Sequence, residues 1–195
     1  MKKSVLFLAV MVCAVGIALV ACTDDSSKSD SYAVVISQDS LVKRGSYLVN
    51  AIGCDDCHSP KTFGPQGPEL VMDKRFGGHQ ANTPIGKPNV GVMKDGYMLF
   101  GMDLTYAVGP WGMSYAANIS SDPTGIGNWT EAQFITAIRE GKSKGLKEGR
   151  QLLPPMPWFV YKNLDDVDLK AIFAYLKTSK PVNNLVPGPK AITEL

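Results

Sequence analysis

Residues 54 to 58 read C-D-D-C-H, so two thiols stand three positions apart with an imidazole directly behind the second. The chain contains four cysteines. Cys13 and Cys22 belong to the apolar N-terminal segment and its end, which leaves Cys54 and Cys57 for the rest of the chain. Because both lie in one short motif, the ligand of this motif constrains the fold more than any other feature of the sequence.

Three kinds of chemistry would use this cluster. The two thiols can pair only with each other, in a structural or redox-active disulfide. With His58 and His79 they could form a Cys2His2 zinc site, although ligation by adjacent Cys57 and His58 gives poor tetrahedral geometry. C-x-x-C-H is also the signature of c-type haem attachment, which accounts for every member of the motif. We therefore predict one covalent haem c, with thioether bonds to Cys54 and Cys57 and His58 as an axial iron ligand.

The first 21 residues carry two lysines and then a short apolar run, which is typical of an export signal. The sequence L-V-A-C at 19–22 resembles the lipobox of bacterial lipoproteins, so we expect cleavage before Cys22 and lipidation of its thiol. The alternative is an uncleaved anchor helix, because the run is near the lower length for a membrane span. Both interpretations place the rest of the chain on the periplasmic side, next to a membrane.

The chain therefore divides into a signal peptide (1–21), a lipid-anchored flexible tether (22–38) and one domain (39–195). The tether is short, polar and charged, and the domain has the size of a single folding unit. The whole chain has 20 basic and 18 acidic residues, and two of the basic ones, Lys2 and Lys3, leave with the signal. The mature chain is thus close to neutral, which argues against a nucleic-acid partner.

A helix is predicted over 39–53, leading directly into the C-x-x-C-H motif, with Asp39 as its N-cap. Leu48 and Ile52 lie on the apolar side of this helix. Gly45 would cost about 1 kcal/mol in a helix interior. We interpret it as a place where another helix approaches closely.

Two further helices have clear boundaries. Thr130 and Gln133 form a capping-box pattern that opens a helix ending at Gly141. A third helix is predicted from Asp165, with acidic residues in its first turn and lysines in its last, as the helix dipole favours.

The segment from 60 to 128 is rich in glycine and proline and predicts no convincing helix. A loop of this length is unusual in a compact domain unless it serves a function, and packing on a haem would be such a function. Within it, residues 92–100 suggest a small hairpin about Asp95-Gly96.

Three stretches, 44–58, 110–130 and 154–176, resemble class I cytochromes c. They are more closely similar to the cytochrome subunits and small c-type cytochromes related to the electron-transfer subunits of bacterial alcohol and sugar dehydrogenases. The resemblance implies an all-α fold, with three or more helices around one haem and long Gly/Pro-rich loops. Those subunits typically carry several C-x-x-C-H motifs, whereas this chain has one, which favours a single-haem carrier.

The second axial ligand is predicted to be Met156, in the sequence L-P-P-M-P-W at 153–158. The flanking prolines restrict the backbone and reduce the entropy lost when the thioether binds iron, and the resemblance places the ligand in the same loop. His79, Met113 or an open coordination site are the alternatives.

The outer ring nitrogen of His58 needs a hydrogen-bond acceptor that fixes its tautomer. By resemblance, the carbonyl of Pro68 accepts this bond, with Pro60 or Pro65 as alternatives. Haem propionates also need donors, and the sequence offers five candidates without ranking them: Trp129, Trp158, Arg75, Arg139 and Asn118.

These residues predict one-electron transfer by a membrane-tethered carrier that is not itself an enzyme. An iron ligated on both sides has no site for substrate, so the protein sets the reduction potential and little else. The expected partners are redox proteins: a membrane-associated dehydrogenase, an oxidase or another cytochrome. The alternatives are a haem subunit of a dehydrogenase complex and a haem-based sensor or ligand-binding module.

Overall fold

The computed structural model describes residues 36–195. The predicted signal peptide, Cys22 and nearly all of the tether lie outside these described residues. The described part contains helices at both ends of a long irregular segment, together with short 3-10 turns. The α-helices are α1 (Gln38–Ala51), α2 (Cys54–His58), α3 (Glu131–Arg139), α4 (Trp158–Tyr161) and α5 (Asp166–Lys177). Within residues 36–195, no helix combines the length and apolar character needed to cross a membrane.

Two small antiparallel sheets accompany the helices. Their strands are β1 (Lys61–Gly64) with β2 (Gly67–Leu70), and β3 (Leu99–Phe100), β4 (Tyr106–Gly109) and β5 (Gly112–Tyr115) in that order. The all-α prediction is therefore not confirmed. Backbone N–H and C=O groups that pack against a core need partners, and in a segment without α-helix these short ladders supply many of them.

The prediction of a hairpin about Asp95-Gly96 is wrong. Residues Val90–Asp95 form a 3-10 turn that ends at Gly96, whose φ of 84° is left-handed. The strand that follows pairs forward instead, with Leu99 opposite Val108 in β4. The absence of α-helix between 60 and 128 is confirmed for these described residues.

The predicted N-terminal ends of α3 and α5 are confirmed, whereas the predicted N-cap of α1 is not. Thr130 and Gln133 form the reciprocal capping box of α3, and Asp165 is the N-cap residue of α5. The N-cap of α1 is Ser37, whose hydroxyl accepts a hydrogen bond from the Ser40 amide, so the prediction of Asp39 as N-cap is wrong. Asp39 lies within the first turn, where its charge still favours the helix dipole.

The helices α1 and α5 cross in contact at Gly45, as the sequence predicted. A Cβ atom at Gly45 would lie 1.9 Å from the carbonyl oxygen of Ala171. Beside this contact, Leu48 and Val49 of α1 join Ile172 of α5 in the buried core. The core continues into the rest of the domain through Phe76, Ile126, Phe134 and Leu176.

We expect Gly45→Ala to lower the free energy of unfolding by about 2 kcal/mol, because the methyl group would collide with the backbone of α5. The helix propensity gained by alanine, about 1 kcal/mol, offsets only part of this cost. The measurement is equilibrium denaturation in urea. Gly86→Ala is the matched control, since no heavy atom lies within 4 Å of a Cβ there. Equal midpoints for the two variants would contradict the close helix contact.

Candidate functional site

A cavity of about 700 Å³ opens beside the C-x-x-C-H helix, and Cys54, Cys57 and His58 line it together. Its size lies within the usual range for small-molecule and cofactor sites, about 300–1,000 Å³. Residues from α3, α5 and the loop around 119–126 also line this cavity. They are mostly aliphatic or aromatic and include Ile119, Ile126, Phe134, Ile138, Leu169 and Ile172.

Helix α2 presents the two thiols one turn apart on this cavity. It starts after Gly53, whose φ of 75° turns the chain sharply at the end of α1. Cys54 and Cys57 are free thiols. Burial, with a smaller contribution from Asp55, raises the pKa of Cys54 to about 12, and burial also raises the pKa of Cys57. This is unlike a redox-active cysteine pair, whose attacking thiol has a depressed pKa.

The zinc alternative gains no support from the geometry. His79 is buried, its Nδ1 lies 2.8 Å from the Thr105 hydroxyl, and its ring packs against Tyr106 and Tyr115. It is not among the residues that line the cavity. Across residues 36–195, no group of three or more His, Cys, Asp or Glu side chains is placed to hold a metal ion.

His58 is oriented by the backbone of another segment. Its Nδ1 lies 2.7 Å from the carbonyl oxygen of Ala117. A carbonyl oxygen only accepts, so Nδ1 carries the hydrogen and Nε2 keeps its lone pair. Burial lowers the pKa of His58, which favours the same neutral form. A neutral imidazole with one nitrogen fixed in this way is the form that ligates metals.

The prediction that Pro68 accepts the His58 hydrogen bond is therefore wrong. Pro68 lies opposite Phe63 in the β1–β2 hairpin and is exposed. Of the two alternatives, Pro60 is also occupied elsewhere, since its carbonyl accepts from Val71. Nothing in the sequence marks Ala117 as the acceptor, because every residue has a backbone carbonyl. Only the tertiary fold decides which carbonyl lies next to His58.

A hydrogen-bonded network around Asp55 fixes α2 in place. The Ser59 hydroxyl donates to Asp55 at 2.6 Å and accepts from the Phe76 amide at 2.9 Å. Arg75 donates to both carboxylate oxygens of Asp55, with a shortest distance of 2.6 Å. Because most of this network is partly or fully buried, it restrains α2 more strongly than an exposed ion pair would.

Lys61 holds the C-terminal end of the same helix. Its ammonium nitrogen lies 2.6–3.1 Å from four carbonyl oxygens, those of Asp55, Asp56 and Ser59 and that of Asp103 across the fold, which share its three N–H donors. A cation here stabilises the negative end of the α2 dipole. The motif is thus restrained from both ends, independently of any ligand.

Met156 lies on the same cavity as His58. Of the six methionines in residues 36–195, it alone lines the cavity. Its loop is fixed at two places: Ser114 donates to the carbonyl of Pro154 at 2.6 Å, and the Leu152 amide donates to Gly141 at 2.6 Å. The structure therefore brings together the motif and the proline-flanked methionine, which are about 100 positions apart in the chain.

Only two of the five candidate propionate donors line the cavity, Trp129 and Asn118. The amide nitrogen of Asn118 already donates to the carbonyls of Val182 and Asn184, so this side chain supports the fold. Arg75 and Arg139 are paired with carboxylates elsewhere. The cavity is also lined by Lys144, Arg150 and Tyr161, which no feature of the sequence singled out. The Tyr161 hydroxyl donates to the Ile52 carbonyl at 2.9 Å.

Comparison with curated proteins finds similarity to cytochrome subunits of dehydrogenases. The chain is 34% identical to the fructose dehydrogenase cytochrome subunit of Gluconobacter japonicus over 151 residues, or 76% of this chain and 23% of that protein. It is 33% identical to the gluconate 2-dehydrogenase cytochrome c subunit of Pantoea cypripedii over 140 residues, 71% of this chain and 23% of that protein. An 80-residue stretch, 40% of this chain, is 43% identical to 6% of a nicotinate dehydrogenase subunit of Pseudomonas putida.

The similarity therefore extends over most of this chain but over a small part of each relative. The chain spans about a quarter or less of the length of these curated relatives. No family model matches it. The similarity to the two cytochrome subunits supports a cytochrome c-like protein and a cytochrome c fold for the described domain.

Removal of the partner of Asp55 tests whether the network fixes α2. We expect Arg75→Met to lower the free energy of unfolding by about 2 kcal/mol, because it leaves a mostly buried carboxylate without its cation. Thermal and urea denaturation measure the change. Lys180→Met is the matched control, since it breaks the Lys180–Asp73 pair, in which both side chains are mostly exposed. Solvent screening makes such a pair weak, so equal losses in the two variants would contradict the proposed role of Arg75.

Proposed function

We propose that this chain binds one haem c covalently through Cys54 and Cys57 and transfers single electrons. The supporting observation is the shared cavity: both thiols, the imidazole of His58 and the thioether of Met156 line one largely apolar space. An apolar plate with a metal at its centre needs such a wall and such ligands. Bound haem would supply a one-electron iron couple.

His58 and Met156 are the proposed axial ligands. For His58, the support is the bond from Nδ1 to Ala117, which leaves Nε2 free to ligate. For Met156, the support is that its loop is already fixed by Ser114 and Leu152, so little backbone entropy is lost on ligation. His79 and Met113 do not line the cavity, which argues against both alternatives.

With His58 and Met156 both bound, the iron would have no open position for a substrate, so the proposed role is electron transfer without catalysis. The relatives favour one form of this role, a haem-bearing electron-transfer subunit that works with a dehydrogenase. A free single-haem carrier is the second candidate, and the single C-x-x-C-H motif favours it. Isolation of the tagged chain from its native membrane distinguishes them, because only the subunit should remain bound to a dehydrogenase after purification.

We also propose that the chain is exported and lipid-anchored at Cys22, on the periplasmic side of a membrane. The supporting features are the lysine-led apolar run and the L-V-A-C sequence at 19–22. Attachment to the membrane would raise the local concentration of redox partners there, so brief and weak docking would suffice for electron transfer.

Substitution of Met156 tests the haem site. When the chain is produced with a cytochrome c maturation system, we expect Met156→Ala to keep its haem after denaturation, because the thioether bonds do not involve Met156. The reduced variant should bind carbon monoxide promptly at neutral pH, whereas the reduced wild type should not. The measurements are haem staining of the denatured chain and absorption spectra with and without carbon monoxide.

Met102→Ala is the matched control, since Met102 is 79% exposed and does not line the cavity. It should behave as wild type. A colourless wild-type protein from a competent host would refute haem attachment. An unchanged axial spectrum in Met156→Ala would refute that ligand, and prompt binding of carbon monoxide by the wild type would favour the sensor alternative.

Substitution of Cys22 tests the anchor. We expect Cys22→Ser to lose lipidation, because the serine hydroxyl does not replace the thiol that the lipid chains modify. Mass spectrometry should find wild type beginning at Cys22 with the added mass of lipid chains, and Cys22→Ser without that mass. If wild type carries no lipid mass and keeps residues 1–21, the lipid anchor is refuted and the uncleaved helix is favoured.

A further inference from the structure

The cavity carries two positive charges and no negative one. Among the described residues that line it, Lys144 and Arg150 are the only side chains with a formal charge at neutral pH, and neither Asp nor Glu is present. Both side chains are exposed, so they lie where the cavity meets solvent. A wall that is otherwise uncharged and largely apolar thus has a cationic rim.

Both cations belong to one fixed loop between α3 and the Met156 segment. The Ser143 amide donates to the Arg150 carbonyl at 2.9 Å, which brings the two ends of the loop together. Gly145 packs directly on α3, since a Cβ there would lie 2.0 Å from the carbonyl of Gln133. Lys144 itself has a left-handed φ of 58°, a conformation that costs energy for a non-glycine residue. The fold therefore holds Lys144 next to the cavity at some cost.

Neither cation is neutralised within residues 36–195. Arg44, Arg75 and Arg139 each form an ion pair with an aspartate. Lys144 and Arg150 make none within the described part of the chain, and Arg150 donates to the Gln151 carbonyl at 2.9 Å. Two unpaired cations at the rim of an apolar cavity are suited to a ligand with an apolar body and acidic groups at one edge.

We propose that Lys144 and Arg150 bind the two propionate carboxylates of the haem, an assignment that rests on the proposed function. A carboxylate is costly to bury without a partner, whereas the porphyrin body gains from contact with the apolar wall. The rim is the place where the cavity offers charge to the carboxylates. Arginine suits this role because its guanidinium can donate two parallel hydrogen bonds to one carboxylate.

The two cations would also influence electron transfer. By stabilising the ionised propionates, they lower the propionate pKa values and keep both groups charged at neutral pH. Loss of the cations raises those pKa values. The reduction potential falls with rising pH in the range where the propionates ionise, because the ionised propionates stabilise oxidised haem. Without the two cations, this fall should therefore occur at higher pH.

The test uses the full-length, haem-loaded protein. In the double variant Lys144→Gln/Arg150→Gln, we expect the reduction potential to begin falling at a pH about one unit higher than in wild type. This corresponds to a tenfold increase in the proton affinity of the propionates. Redox titrations between pH 5 and 9 measure the shift, a readout separate from electron-transfer activity. Lys144→Arg/Arg150→Lys keeps both charges and should retain the wild-type profile.

Lys147→Gln is the matched control, because Lys147 is an exposed cation of the same loop that does not line the cavity. A double variant with haem attached, normal axial spectra and a wild-type pH profile would overturn this assignment alone. A shift no larger than that of Lys147→Gln would also overturn it. Where the double variant does not accumulate, each single Gln variant should show a smaller upward shift, and no shift in either refutes the proposal. Colourless wild-type protein would instead refute the proposed function.

Discussion

The contact between α1 and α5 at Gly45 determines where the C-x-x-C-H motif lies. Because glycine has no Cβ, the two helices approach until their backbones nearly touch. Helix α1 ends at Ala51, and only Ile52 and Gly53 separate it from α2, so the position of α1 sets the position of both thiols and His58. The aliphatic residues around the crossing supply the core that holds this geometry.

Hydrogen bonds and an ion pair then fix the orientation of α2 and of the His58 ring. Asp55, Arg75 and Ser59 fix one side of α2, and Lys61 binds the carbonyls at its C-terminal end. The Ala117 carbonyl then selects the tautomer of His58. Each contact uses a group that would be costly to leave unpaired in a partly buried place, so the site is assembled by the requirements of the protein itself.

The charged residues of the domain are also mostly balanced or paired, except at the cavity. The acidic and basic residues nearly balance, and most described arginines are paired with aspartates. The cavity departs from this balance, with two cations at its rim and no acid on its wall. For a proposed haem site this separation is favourable, because apolar surface and positive charge serve different parts of one ligand.

The sequence alone determined which residues make up the proposed haem site and where the clearest helices begin. Side-chain type and short-range spacing were enough to predict four features: the C-x-x-C-H motif, the capping box at Thr130, the helix from Asp165 and the close approach at Gly45. Each of these depends on residues that are near one another in the sequence. Tertiary structure alone decided the rest. Contacts between segments that are distant in the sequence decide three features. These are the small sheets, the use of the Ala117 carbonyl and not that of Pro68, and the position of Lys144 and Arg150 at the rim of the cavity. A carbonyl, a backbone strand edge or a surface cation looks the same at many positions in a sequence, and only the folded path of the chain selects which one is used.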